Sequence, residues 1–227
     1  MTPSLAKLGL FAKWPRPGDV KTRLAAATSP EWAARVALAF LQDTISRLVT
    51  VEARRVLAYA PTDARQDFTR LVDDRFELVP QTDGDLGQRM AAFVTAALAD
   101  GAERVVLVGT DSPTLPVEYV AEAFEELGRV DVVLGPATDG GYYLLGCARG
   151  LPPIFEGIAW GGSRVLAETV ERLSAAGLRL ALLPPWYDVD TLPDWHLLCG
   201  HIMALRAARK EPGVPHTEAL LGSGAPE

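Results

Sequence analysis

Apolar positions along this chain fall into two kinds of run. Short, dense stretches such as LAKLGLFA (5–12), RVLAYA (55–60), RVVLVG (104–109) and DVVLG (131–135) read as strands. The last two are unbroken and rich in β-branched residues, the pattern of strands buried on both faces. Residues 76–80 suggest a short further strand, and 142–147 and 179–183 two more. Between them, apolar residues recur at helical spacing. One helix opens at Ser29, an N-cap serine followed by Pro30, and continues to about residue 49. Others span 86–99, ending at Asp100 and Gly101, then 117–127, 163–176 with Gly177 as its stop, and 192–208.

Strands that alternate with helices imply an α/β architecture, a mostly parallel sheet with helices on both faces. In such sheets, ligands bind beyond the carboxyl ends of the strands. From Lys210 onward the composition turns to Pro, Gly and Ser, which predicts one domain over 1–209 and a flexible tail over 210–227. No internal repeat is visible.

Composition narrows the function. A chain of 227 residues, 48% hydrophobic and 22% charged, is long enough for one well-packed domain. Its formal charge of −7 disfavours general electrostatic binding to nucleic acid, so an anion site must be local. No apolar run approaches the ~20 residues needed to cross a bilayer, and the start lacks the apolar core of a signal peptide. Cys147 and Cys199 lie outside any metal-type cluster, and the three histidines are dispersed. The expectation is a cytoplasmic protein with reduced thiols and no structural zinc. Helices of these lengths are compatible with a monomer or a homodimer.

The unusual residues gather where strands end. After the first strand comes KWPRPGDVKTR, with Lys13, Arg16, Lys21 and Arg23 among two prolines and Gly18. Proline fixes φ and glycine permits tight passage, so the loop holds a shape before any ligand arrives. Lys21 and Arg23 enter a helix, whose N-terminus favours an anion. The loop reads either as a phosphate clamp or as a solvated basic turn. RVVLVG ends in Thr110-Asp111-Ser112-Pro113, where Asp111 suits either an N-cap or a hard divalent cation. In PATDGG, Asp139, Gly140 and Gly141 make good hairpin chemistry, and also suit close approach of a ligand. In WYDVDTLPDW, Asp188 and Asp190 share a face of an extended segment, while Thr191 and Asp194 suit helix capping. Gln81 and Arg89, around a helix start, offer base- or ribose-reading hydrogen bonds. Trp160 sits in a Gly-rich stretch that reads as a flap or as packing.

Together these loops resemble the GT-A (nucleotide-diphospho-sugar transferase) superfamily, over roughly Leu8 to Trp195. FAKxPxPGxVKTRL, GxDxPxL, GPxxDGGYYLLG and DVDTxxDW are similar, in that order, to a branch labelled as glycosyltransferases of the arsenosugar-biosynthesis type. The first and last motifs also resemble 2-phospho-lactate guanylyltransferases, and the last resembles CMP-sugar synthetases. The resemblance implies a single-domain, Rossmann-like three-layer sandwich. It implies Phe11, Ala12, Lys13, Gly18, Lys21, Arg23, Gln81, Arg89 and Thr110 around a nucleotide. Asp111 and Asp190 would hold Mg²⁺ or Mn²⁺, Asp139 would serve as base, and Gly140, Gly141, Tyr142 and Trp160 would border the acceptor. Two departures stand out: the GxGxR loop of sugar nucleotidyltransferases is missing, and TDS stands where many glycosyltransferases carry DxD.

Three activities follow as expectations. The first is metal-dependent glycosyl transfer from a nucleotide sugar to a small-molecule acceptor. The second is nucleotidyl transfer from a nucleoside triphosphate to a phosphorylated acceptor. The third is an inactive nucleotide-binding module, whose sign would be loss of Lys21, Asp111 or Asp190; all three are present.

Overall fold

A computed structural model describes residues 5–222. Seven strands form one sheet in the order β3-β2-β1-β4-β6-β5-β7. They are β1 Ala6–Lys13, β2 Arg54–Ala60, β3 Glu77–Pro80, β4 Arg104–Val108, β5 Val132–Pro136, β6 Tyr142–Ala148 and β7 Leu180–Leu182. Strand β6 runs antiparallel to both neighbours, and every other pairing is parallel. The order reverses at β1, which has β2 on one side and β4 on the other, so the crevice of a doubly wound sheet falls between the carboxyl ends of β1 and β4.

The helices are α1 Thr22–Ala27, α2 Pro30–Leu48, α3 Arg65–Val72, α4 Leu86–Ala99, α5 Val117–Glu126, α6 Val165–Ala175, α7 Leu192–Ala207 and α8 Pro215–Leu221. Alternation along β4 shows why it is apolar from Val105 to Val108. Val106 and Val108 join one core with Leu41, Phe68 and Val120 from α2, α3 and α5. Val105 and Leu107 join the other with Val94 and Leu173 from α4 and α6. A strand covered on both faces has no position left for a polar side chain. The result is the expected three-layer α/β sandwich with a mostly parallel mixed sheet. A third apolar cluster, with Trp32, Phe40, Trp195 and Leu198, packs α2 against α7. No helix among the described residues is long and apolar enough to cross a membrane.

Part of the expected tail is built into the fold. Residues 210–222 do not hang loose: Val214 is fully buried, and α8 packs on α2. Asp43, buried inside α2, accepts hydrogen bonds from the backbone N–H groups of His216 (3.0 Å) and Thr217 (2.8 Å) and from the Thr217 hydroxyl (2.6 Å). A helix too short to show periodicity is thus held by a partner from far away in the chain. Residues 223–227 of the expected tail lie outside the described residues.

Candidate active site

A cleft of about 520 Å³ opens at the reversal point of the sheet. Loops after β1, β4, β5 and β7 converge on it, with the start of α4 and the 160–165 segment as walls. These loops are tied to one another by the backbone. Val189 donates to the Asp111 carbonyl (2.9 Å), Thr138 to Trp186 (3.1 Å), and Trp186 to Pro136 (3.0 Å). Asp194 does the capping the sequence suggested, accepting from the N–H groups of Asp190 and Thr191 and from the Thr191 hydroxyl. That pins the backbone on which Asp190 is carried.

At the centre is Lys21. It stands just before α1 in a left-handed conformation, φ 47° and ψ 43°, which costs a non-glycine residue about 1–2 kcal/mol. Its ammonium pairs with Asp111 and lies 3.0 Å from Asp190 Oδ1 and 5.5 Å from the centre of the Phe40 ring. The lysine side chain is only 4% exposed, whereas Asp111 and Asp190 are 53% and 36% exposed towards solvent. Burial pulls the lysine pKa down, but the two carboxylates outweigh it and hold it above the ordinary value. The basic loop therefore turns its most buried cation onto acids of its own chain. With only six residues in α1, no helix N-terminus stands behind it as an anion site. Asp111 caps nothing, because α5 begins at Val117 with Pro116 before it.

Asp188 is the quieter neighbour. Its Oδ1 accepts from the Ser112 hydroxyl at 2.5 Å. Burial, then the charges of Asp111, Asp139 and Asp190, push its pKa up to about 6 against the pull of that hydrogen bond. Asp139 Oδ1 accepts from the Gly141 N–H (2.8 Å), which shapes the β5–β6 hairpin and leaves the carboxylate facing the cleft. Five carboxylates, Asp19, Asp111, Asp139, Asp188 and Asp190, face the cleft against two ammonium groups, Lys13 and Lys21.

Phe11, Ala12, Lys13, Gln81, Thr110, Gly141, Tyr142 and Trp160 also line the cleft. Four of the expected residues do not. Arg23 lies on the rim, exposed, 4.0 Å from Asp190. Gly18, φ 85°, only shapes the loop, with open space where a side chain would stand. Arg89 donates to the Gly84 carbonyl and, at 3.4 Å, to Gln81 Oε1. Gly140, φ 92°, is pressed against Ser163, whose carbonyl would lie 2.1 Å from an added Cβ. Gln81 itself spends its amide N–H₂ on the carbonyls of Ala12 and Ala58. Trp14 packs edge-on against Phe68, 5.0 Å between ring centres, well away from a stacking role.

Trp160 belongs to a wall. A Cβ on Gly87 of α4 would lie 2.2 Å from Trp160 Nε1 and 2.3 Å from the Phe155 carbonyl, so helix and loop meet at backbone distance. Tyr142 meets Trp160 edge-on at 6.4 Å, and the buried Trp160 N–H has no hydrogen-bond partner among the described residues. Sequence reasoning missed Ser112 as the partner of Asp188, and also Met90 and Val165 as cleft-lining residues. The pairing of Ser112 with Asp188 joins two loops and leaves no local signal.

The donor set suits a hard divalent ion. Among the described residues no three or more His, Cys, Asp or Glu side chains gather to hold a metal alone. Two carboxylates completed by water and substrate phosphates are nevertheless the usual surroundings of Mg²⁺. In this structure the ammonium of Lys21 occupies the space between those two carboxylates.

Fold and cleft define a GT-A-like α/β protein of the nucleotide-diphospho-sugar transferase class. The chain belongs to the family described as "Uncharacterized protein conserved in bacteria (DUF2064)", whose model matches residues 44–162. A crystal structure from Desulfovibrio desulfuricans G20, provisionally assigned as a nucleotide-diphospho-sugar transferase, is 34% identical. It superposes with a TM-score of 0.87 over 97% of this chain and 98% of its own. A cytidylyltransferase from Leptospira borgpetersenii shares the fold at 13% identity and TM-score 0.61, over 97% and 95% of the two chains. So does a CMP:2-keto-3-deoxy-manno-octonic acid synthetase complexed with CTP, at 13% and 0.54 over 90% and 99%. No curated protein matches the chain in sequence.

Proposed function

We propose that this protein is a divalent-metal-dependent glycosyltransferase that moves a sugar from a nucleotide-sugar donor to a small-molecule acceptor. The observation that carries the reading is the convergence of Asp111 and Asp190, from loops after β4 and β7, on one buried cation at the reversal point of the sheet. Asp111 and Asp190 would hold Mg²⁺ or Mn²⁺. When bound, such an ion supplies neutralisation of the diphosphate charge that grows as the leaving group departs. Lys13 and Lys21 would share that charge, and the backbone at Phe11, Ala12 and Thr110 would border the nucleotide. Asp139 would receive the acceptor's proton.

The acceptor side supports glycosyl over nucleotidyl transfer. Asp139, Gly141, Tyr142, Trp160 and Val165 border it, and no cation besides Lys13 and Lys21 lines the cleft among the described residues. A phosphorylated acceptor, which nucleotidyl transfer requires, would meet carboxylates and aromatic rings there. Nucleotidyl transfer is retained as the second reading because the fold is shared with a cytidylyltransferase and with a CTP-bound synthetase.

A thermal-shift panel of nucleoside triphosphates and nucleotide sugars, each with and without Mg²⁺ or Mn²⁺, tests the choice. Metal-dependent stabilisation by a nucleotide sugar is expected. Stabilisation by a triphosphate alone would replace this reading with nucleotidyl transfer, and silence across the panel would favour an inactive module.

A further inference from the structure

Lys21 reaches Asp111 and Asp190 from the protein side, past Phe40, while both carboxylates open towards the cleft. An ammonium in direct contact with both carboxylates and a Mg²⁺ ion at about 2.0–2.1 Å from them cannot share the space between them. The lysine backbone is held in its loop, so the ammonium can leave the carboxylates only by rotation of its flexible side-chain stem. Its backbone is left-handed, its carbonyl accepts from the Ala25 N–H (2.8 Å), and its side chain is enclosed. Among the described residues lining the cleft, Lys13 is the only other cation, and its ammonium is directed at the Asp19 carbonyl (2.8 Å).

We infer that Lys21 is a resident counter-cation of the metal site, which keeps Asp111 and Asp190 together and gives up its place only when a divalent ion arrives with a diphosphate. The diphosphate offers the displaced ammonium new oxygens, so metal and diphosphate bind cooperatively, while metal alone competes with a fixed charge. Coupling of this kind is reciprocal: each ligand tightens the other by the same factor. The inference rests on the metal reading above and adds the order of occupancy to it. Lys21 acts here as a positioning residue towards the ion.

Mn²⁺ binding followed by electron paramagnetic resonance, with inorganic pyrophosphate as a base-independent probe, tests it on the full chain. The native protein should bind Mn²⁺ weakly alone and at least tenfold more tightly when pyrophosphate is present. Lys21→Met should bind Mn²⁺ alone roughly tenfold or more tightly than the native chain, since a full competing charge is gone, and should lose most of the pyrophosphate effect. Equal or weaker Mn²⁺ binding by Lys21→Met, with the native chain still binding, overturns the inference and leaves the metal reading standing. No Mn²⁺ binding by either protein, with or without pyrophosphate, overturns both. Should Lys21→Met fold poorly, ¹⁵N-lysine spectra of the native protein decide instead. The buried ammonium signal must shift when Mg²⁺ and pyrophosphate are added together, and an unmoved signal overturns the inference.

Discussion

Asp43 holds Thr217 twice, through its backbone N–H and its hydroxyl, across 174 positions of sequence. The carboxylate is fully buried and takes a third bond from His216, so it serves as the N-terminal cap that α8 does not carry itself. Asp43→Ala would strand the two buried Thr217 donors and free the part-buried His216 N–H, and is expected to cost about 2–4 kcal/mol in denaturant unfolding. The same variant should expose 210–222 to limited proteolysis first. Protease resistance equal to the native chain would show that α8 docks through Val214 and Leu220 without the cap.

That helix marks where legibility ended. The strands were readable because RVVLVG and DVVLG are buried on both faces, and a doubly buried strand leaves an unbroken apolar run. Helix α7 was readable because Thr191 and Asp194 form a local capping box. α8 is seven residues long in a Pro- and Gly-rich stretch, and α3 is eight, both too short for a periodic signal. At the site, Asp111 and Asp190 were visible as acids beyond strand ends. The partner of Lys21 was not visible, because Asp190 lies 169 positions away. The contact of Gly140 with Ser163 was hidden in the same way, whereas Arg89 turns to the carbonyl of Gly84, five residues before it.

Gly140 and Gly101 separate two causes of strain. Both have positive φ, 92° and 84°, but a Cβ on Gly101 meets nothing within 4 Å, whereas one on Gly140 meets the Ser163 carbonyl at 2.1 Å. Gly101→Ala should cost only the left-handed backbone penalty of about 1–2 kcal/mol, and Gly140→Ala about 2–4 kcal/mol because the 160–163 wall must also move. Equal costs in urea unfolding would remove the packing role assigned to Gly140.

Asp131 and Arg179 give a pH signature. The side chain and backbone of Arg179 donate to this carboxylate, and hold it well below the usual carboxylate range. A depressed folded-state value contributes stability that is fully present above the unfolded value near ~4 and fades as pH falls from there. Asp131→Asn should therefore melt below the native chain at pH 7, and the gap should narrow by about pH 3 as the native pair loses its advantage. A gap that widened on acidification would contradict the pairing.

The two thiols should differ in reach. Cys147 is fully buried in β6, and burial pushes its thiol up to about 12; Cys199 on α7 is half-buried. Thiolate is the reactive form, so iodoacetamide should modify Cys199 slowly in the folded chain and Cys147 only on unfolding. Labelling of Cys147 at the rate of Cys199 would mean that the sheet opens locally near β6.

Asp111 and Asp139 should fail in different ways. Asp111 lies against Lys21 and opens to the cleft, and in the proposed reading its charge serves binding; Asp139 lines the same cleft, its Oδ1 accepting from the Gly141 N–H, and in that reading it serves the acceptor. Asp111→Asn leaves Lys21 paired with Asp190, so the melting temperature should stay within a few degrees. Its metal-dependent stabilisation by nucleotide should vanish, because one of two carboxylates is lost to the ion. Asparagine at 139 can still accept from Gly141 through its own Oδ1, so the hairpin should hold and ligand-induced thermal shifts should match the native protein. What Asp139→Asn gives up is proton acceptance, worth about 10²–10⁴ in kcat for a general base. If it retained full turnover, the acceptor's proton would have to leave by another group, and Asp188, beside it in the same cleft, would be the next residue to replace.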